Sequence, residues 1–203
     1  MGPVERPLGF PPRRAGEAPG AGRFDDPLGE YSVLYCAGFQ SVALRETLQH
    51  FRRDTRTIAR LETLYGEGQA PPALVPADWR SARVLMPARI RLADGRELAA
   101  YEDPGLLRRL EEGFASLLAE LGIHNLDVPA LRSKERTVSQ LLGRSLYNQG
   151  FAGVAFRSGV PPSGACAAIF EGRGELEPAG RPRSLVRSLP ALRTVAREFK
   201  LEL

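Results

Sequence analysis

The sequence predicts a single α+β domain, and three observations carry that prediction. The chain has 203 residues, apolar runs of strand length are mixed with helical stripes, and neither a regular strand–helix–strand alternation nor an internal repeat is present. A chain of this size buries roughly 70% of the surface that its unfolded form exposes, so a core without disulfide staples suffices. Hydrophobic residues make up 43% and charged residues 26%, which excludes the disordered and collagen-like classes.

Residues 1–22 contain five prolines and no sustained period, and predict an irregular arm. Residues 31–37, YSVLYCA, read as a buried strand. From Ser41 to about Arg60 a helix is expected, with Leu44, Leu48, Phe51, Ile58 and Leu61 on one stripe. A Pro- and Ala-rich loop over 66–79 follows. RVLMPARIRL and RELAAY then flank Asp94-Gly95, the dipeptide preferred in tight turns, and predict a hairpin that bends at Pro87.

Asp103-Pro104 supplies an N-cap and a first-turn proline for a helix carrying Leu106, Leu107, Leu110, Phe114, Leu117, Leu118 and Leu121, stopped by Gly122. A second helix is expected over about 135–149, with Val138, Leu141, Leu142, Ser145 and Leu146 inward and Gly150 at its end. FAGVAF and ACAAIF read as two buried strands joined by RSGVPPSG. The remainder from about Gly172 reads as loop and a basic terminal segment.

Charge narrows the partners. The net charge is +4, and residues 181–203 account for all of it, with Arg181, Arg183, Arg187, Arg193, Arg197 and Lys200 against Glu198 and Glu202. A basic excess confined to one short tail is not the stripe of a nucleic-acid binder. Cys36 and Cys166 sit in apolar runs as small core residues, which fits a reducing, cytoplasmic setting. No run approaches the ~20 apolar residues of a membrane span, and the arm lacks the apolar stretch of a signal peptide.

The familiar chemical motifs are absent. No GxGxxG opens a helix, and no Gly-rich loop ends in Lys-Ser or Lys-Thr. His50 and His124 stand alone, and with only two cysteines no metal site is expected. Ser41, Ser158 and Ser163 lack the flanking glycines of a nucleophile elbow. Glu46 and His50, four apart, read as a solvated helix pair. Glu46 lies about 200° round the helix from Leu44, so periodicity alone places its carboxylate in solvent. Taken singly, Arg23 is a loop arginine, Tyr35 a strand tyrosine and Ser158 a hydroxyl ending a strand.

Two longer blocks alter that reading. GRFDDPLGEYSVLYCAGFQSVALRETLQHF combines an Arg-Phe entry, a Pro-x-Gly turn, a Val-Leu-Tyr strand and an Ala-Leu-x-Glu helix start. LDVPALRSKERTVSQLLGRSLYNQGFAGVAFRSG leads from a helix through Gly-Phe-x-Gly into a strand ending at a serine. Together they resemble the RES domain, the toxin half of bacterial RES–Xre toxin–antitoxin pairs, over residues 20 to 171. The Arg, Glu and Ser that name the family fall on Arg23, Glu46 and Ser158, and its strand tyrosine on Tyr35. Asp25 stands where the family usually has asparagine, and the hairpin with its flanks is longer than in short members.

The resemblance implies an arm over 1–22, a RES domain over 23–171 and a basic segment over 172–203 packed on or extending the same domain. It implies a mixed sheet with flanking helices similar to ADP-ribosyltransferases. It also implies a hydrolase or transferase acting on NAD+ as substrate, with no cofactor. Glu46 and Arg23 would be catalytic, and Arg23, Tyr35 and Ser158 would bind NAD+. Cleavage of the nicotinamide–ribose bond, by water or phosphate, is the first expectation. Transfer of ADP-ribose to a protein and an inactive RES-like binding module are the alternatives, and a nucleic-acid module is a distant third. The expected partner is an Xre-family antitoxin, in a homo- or hetero-oligomer, with no direct contact to nucleic acid or membrane. The basic tail would meet that antitoxin or stay solvated.

Overall fold

A computed structural model describes residues 7–13, 22–127 and 136–203. The two apolar runs near the C-terminal half pair with one another. Strand β6 (Gly153–Arg157) lies antiparallel to β7 (Ala165–Phe170), with Val154 opposite Ala168 and Phe156 opposite Cys166. Strand β1 (Val33–Ala37) is antiparallel to the other edge of β7, with Tyr35 opposite Ala168. Strand β5 (Leu98–Ala100) runs parallel to β6, with Ala99 opposite Val154. The sheet order is β1-β7-β6-β5, a mixed sheet with helices around it, and the chain is one α+β domain.

Because opposite residues share a face and neighbours alternate, one sheet face carries Val33, Tyr35, Ala99, Val154, Phe156, Ala168 and Phe170. Helices α4 (Pro104–Gly113), α5 (Ala115–Glu120) and α6 (Thr137–Asn148) contribute Leu106, Leu110, Leu118, Val138, Leu142 and Leu146 to the same core. The Asp103 carboxylate caps α4 by accepting from the Leu106 amide at 2.8 Å. Gly122 and Gly150, both at positive φ, stand just past α5 and α6. The expected helix over 104–121 is interrupted at Phe114, whose backbone leaves helical geometry as its ring packs on the core. Glu135, the expected start of the next helix, and all but residues 7–13 and 22 of the arm lie outside the described residues.

The stretch 41–60 is corrected from one helix to two. Helix α1 (Gln40–Leu48) passes through a 3₁₀ turn (Gln49–Phe51), and α2 (Thr55–Tyr65) restarts at Asp54, whose side chain accepts from the Thr57 amide at 2.7 Å. Leu44 and Leu48 are buried, whereas α2 buries no residue. The continuous stripe was therefore two faces turned to different surroundings.

The expected hairpin also divides. Asp94 and Gly95 both take positive φ, and the Arg96 amide donates to the Ala93 carbonyl at 2.9 Å, so the tight turn forms. Its flanks then part. Strand β4 (Ala88–Leu92) pairs with β8 (Gly174–Pro178), while β5 joins the main sheet. The turn dipeptide fixes the local bend, but the arginines of β4 stay exposed and Ala99 is buried, so the two strands seek different partners.

Two further segments read as loop contain structure. Ala73–Leu74 forms β2 and Ala77–Ser81 forms α3. Beyond residue 172 come β8, β9 (Arg183–Ser184), α7 (Pro190–Glu198) and β10 (Leu201–Glu202). β3 (Val84–Leu85) pairs with β9, and β10 runs parallel to β2. Helix α7 buries Leu192, Val195 and Ala196 against Leu44 and Leu48 of α1 in a second core that includes Val75, Leu185 and Leu201. Its arginines, Arg193 and Arg197, face outward. A part-buried ion pair also joins the helices: Arg45 Nε and Nη2 donate to Glu198 Oε2 and Oε1, each at 2.8 Å.

Two outcomes follow. Leu142→Ala, at a site 1% exposed in the first core, is expected to cost about 2–5 kcal/mol in urea unfolding. The Arg45 bonds hold the Glu198 carboxyl below its ordinary value of 4.5. A depressed folded-state value means stability present above pH 4.5 and lost as pH falls through the folded value. Glu198→Gln should remove that share of the acid dependence, read as a smaller fall of the thermal midpoint on acidification than in the wild type.

Candidate active site

Strands β1 and β6 are both antiparallel to β7, and β5 is parallel to β6, so β1, β5 and β6 end at the same side of the sheet. The chain leaves β1 through Gly38 and Phe39 into α1, which carries Glu46. It leaves β6 at Ser158, and β5 at Tyr101. Alternation places Tyr35, Tyr101 and Ser158 on one face. Two of the positions singled out in the sequence, Tyr35 and Ser158, are thereby gathered with a tyrosine that the sequence did not mark.

The link that brings α1 to β6 is short. Ser158, 1% exposed, donates its hydroxyl to Glu46 Oε1 at 2.5 Å, and the Val160 amide donates to Ser158 Oγ at 3.0 Å. Gln49 donates to Glu46 Oε2 at 3.0 Å. Glu46 is half-buried, which corrects its expected exposure to solvent. Periodicity measured its angle from one apolar stripe, but α1 is buried on two sides: Leu44 and Leu48 face the second core, and Val42 faces the β6–β7 connection. His50 takes no part: its ring sits 3.9 Å from that of Phe51 and 5.9 Å from that of Trp79.

Gly164 explains how closely α1 approaches. A methyl group there would overlap the Val42 side chain, so the helix rests directly on the backbone of the β6–β7 connection. That connection is braced around Ser158, whose amide donates to the Gly164 carbonyl at 2.8 Å and whose carbonyl accepts from Ser163 Oγ at 2.8 Å. Glu46 lies one turn beyond Val42, on the side that meets the serine.

Arg23 is half-buried. Burial lowers its guanidinium below the ordinary value and Arg136 acts in the same sense, while Tyr101, Glu46 and Tyr35 favour the charged form. Its electrostatic neighbours are thus the residues of this site. Phe24, fully buried, packs its ring edge-on to Tyr101 at 4.7 Å and locks the preceding arginine to the sheet. The Tyr101 hydroxyl is buried without a hydrogen-bond partner, and burial raises its pKa.

Tyr35 is clasped by the entry loop. The Phe24 amide donates to its oxygen at 2.8 Å, and its hydroxyl donates to Asp25 Oδ1 at 2.8 Å. Asp25 Oδ2 accepts from the Gly22 amide at 2.6 Å. Burial around the oxygen, with Asp25 adding to it, holds the Tyr35 phenol well above its usual value, yet 39% of the residue stays open. The clasp needs glycine at 22, since a β-carbon there would overlap the Tyr35 hydroxyl. A cavity of about 260 Å³ opens beside it, lined in part by Asp25, Tyr31, Ser32 and Tyr35. Cys166, on the face of Ser158, is pushed up to about 11 by burial and by the Glu46 charge, and stays a thiol at neutral pH.

The site combines a carboxylate on α1 held by a hydroxyl just past β6, a partly desolvated guanidinium from the entry loop and an open aromatic ring on β1, in an α+β domain. Among the described residues, no three His, Cys, Asp or Glu side chains could hold a metal ion, and no helix is long and apolar enough to cross a membrane. The RES domain family model matches residues 4–188 of the 203, and the chain belongs to that family. The family is associated with toxin–antitoxin systems and with enzymes that use NAD, and its members are generally paired with an antitoxin. Comparison with curated proteins and with solved structures finds no match.

The sequence reading missed Asp25 as a structural partner, Tyr101 and Arg45. Asp25 carried only the general tendency of a loop Asp to accept local backbone bonds, and Tyr101 had no signal. Gly22→Ala should open the Tyr35–Asp25 clasp and cost about 1–3 kcal/mol. The check is the urea midpoint together with the ultraviolet titration of tyrosine, in which one phenol should return toward its ordinary range.

Proposed function

We propose that this protein is an NAD+-consuming toxin that cleaves the bond between nicotinamide and ribose. The observation that carries the reading is the Ser158–Glu46 hydrogen bond at 2.5 Å, made beside Arg23, whose electrostatic neighbours include Glu46 and Tyr35. As the C–N bond breaks, its electron pair leaves with neutral nicotinamide and the ribose becomes oxocarbenium-like. A fixed carboxylate stabilises that charge, as in glycoside hydrolysis. Glu46 supplies it, and Ser158 orients it instead of serving as a nucleophile.

Arg23 suits the pyrophosphate, because a guanidinium matches two phosphate oxygens at once and needs no Gly-rich loop. The open ring of Tyr35 offers a stacking surface to nicotinamide or its ribose, while its clasped oxygen anchors the far end of the side chain. The acceptor, water or phosphate, attacks the ribose carbon and loses its proton to solvent. Asp25, engaged by Gly22 and Tyr35, is spent on holding the loop. The fold similar to ADP-ribosyltransferases that the family resemblance implies would accord with this chemistry, and an Xre-type antitoxin in the cytoplasm would restrain it.

Nicotinamide release from NAD+ by the purified chain, with and without phosphate, tests the reading. Glu46→Ala should lower turnover by at least ~100-fold with the fold intact, since one such electrostatic contact is worth about 3 kcal/mol. Arg23→Ala should chiefly raise KM. A well-folded Glu46→Ala protein with wild-type turnover would remove Glu46 from the mechanism. Labelled ADP-ribose retained on protein would point instead to transfer.

A further inference from the structure

Glu46 acts only if its direction is fixed, and α1 has no side-chain cap to fix it: Phe39 stands at its N-cap and Gln49 at its C-cap. Its orientation comes from packing, from the Ser158 bond to Glu46 itself and from Arg45. Arg45 is 7% exposed and bonds both oxygens of Glu198 on α7. A planar two-bond fork allows one relative geometry, unlike an apolar contact, which tolerates sliding.

Arg45 and Glu46 are consecutive, so their side chains leave the helix about 100° apart. Holding the first sets the rotation of α1 about its own axis, and that rotation aims the second at Ser158. Without the fork, Leu44 and Leu48 still pack on Leu192, Val195 and Ala196 and Val42 on Gly164, apolar contacts that hold the helix in place but leave its fine rotation to slide. We infer that Glu198 of the C-terminal helix is a positioning residue for the reaction, acting through Arg45 to aim the Glu46 carboxylate. This rests on the proposed NAD+ cleavage, and it assigns a role to a helix that lies beyond residues 4–188, the part matched to the family.

The test uses the full chain and reads initial rates of nicotinamide release, with circular dichroism and the urea midpoint as fold controls. Glu198→Ala and Arg45→Lys should each lower kcat by about ten-fold with KM for NAD+ changed by less than about two-fold, because aim, not affinity, is lost. The double variant should be no slower than the worse single one, as expected for two residues of one device. Glu198→Gln, which keeps an acceptor oxygen, should recover part of the loss. A folded Glu198→Ala protein with wild-type kcat overturns the inference alone, as does a loss matching the unfolded fraction. A wild-type chain that releases no nicotinamide overturns the proposed reaction, and the positioning role with it.

Discussion

The hydrogen bond from Ser158 to Glu46 joins residues 112 apart in sequence, and most of the structure stands in some relation to it. The serine follows the central strand β6, and the carboxylate rides on the helix that follows β1, on the far side of β7. For the two to meet at 2.5 Å, β7 must separate β1 from β6, and α1 must lie flat on the β6–β7 connection. Gly164 permits that approach by leaving Val42 room. The bond is charge-assisted and largely shielded from water, which makes it stronger than a neutral surface contact.

The other polar residues divide between chemistry and support. Arg23 is partly desolvated, which strengthens its pull on an anionic ligand at some cost to folding. The replacement of the family's usual asparagine by Asp25 does not place a loose negative charge at the site, because the Gly22 amide and the Tyr35 hydroxyl hold both oxygens.

The C-terminal segment puts composition and packing on two faces of one helix. Its six basic residues left both a solvated tail and a segment packed on the domain open, and Leu192, Val195 and Ala196 form the inward face of a helix that completes the second core. The charges lie on the other side. Leu192 and Val195 are three apart, a helical spacing visible in the sequence but outweighed by the basic residues around them.

Local chemistry alone determined the turn at Asp94-Gly95, the cap at Asp103, the strand character of YSVLYCA, FAGVAF and ACAAIF, and the inward face of α6, since each depends on backbone preference or on one period. Resemblance in the sequence marked Arg23, Tyr35, Glu46 and Ser158. Only the tertiary structure decided that β4 and β5 part company, that the 41–60 helix breaks in two, and that Glu46 turns inward. Those outcomes depend on which distant segment offers a better burial or a better hydrogen bond, and a sequence read along its length does not contain that competition.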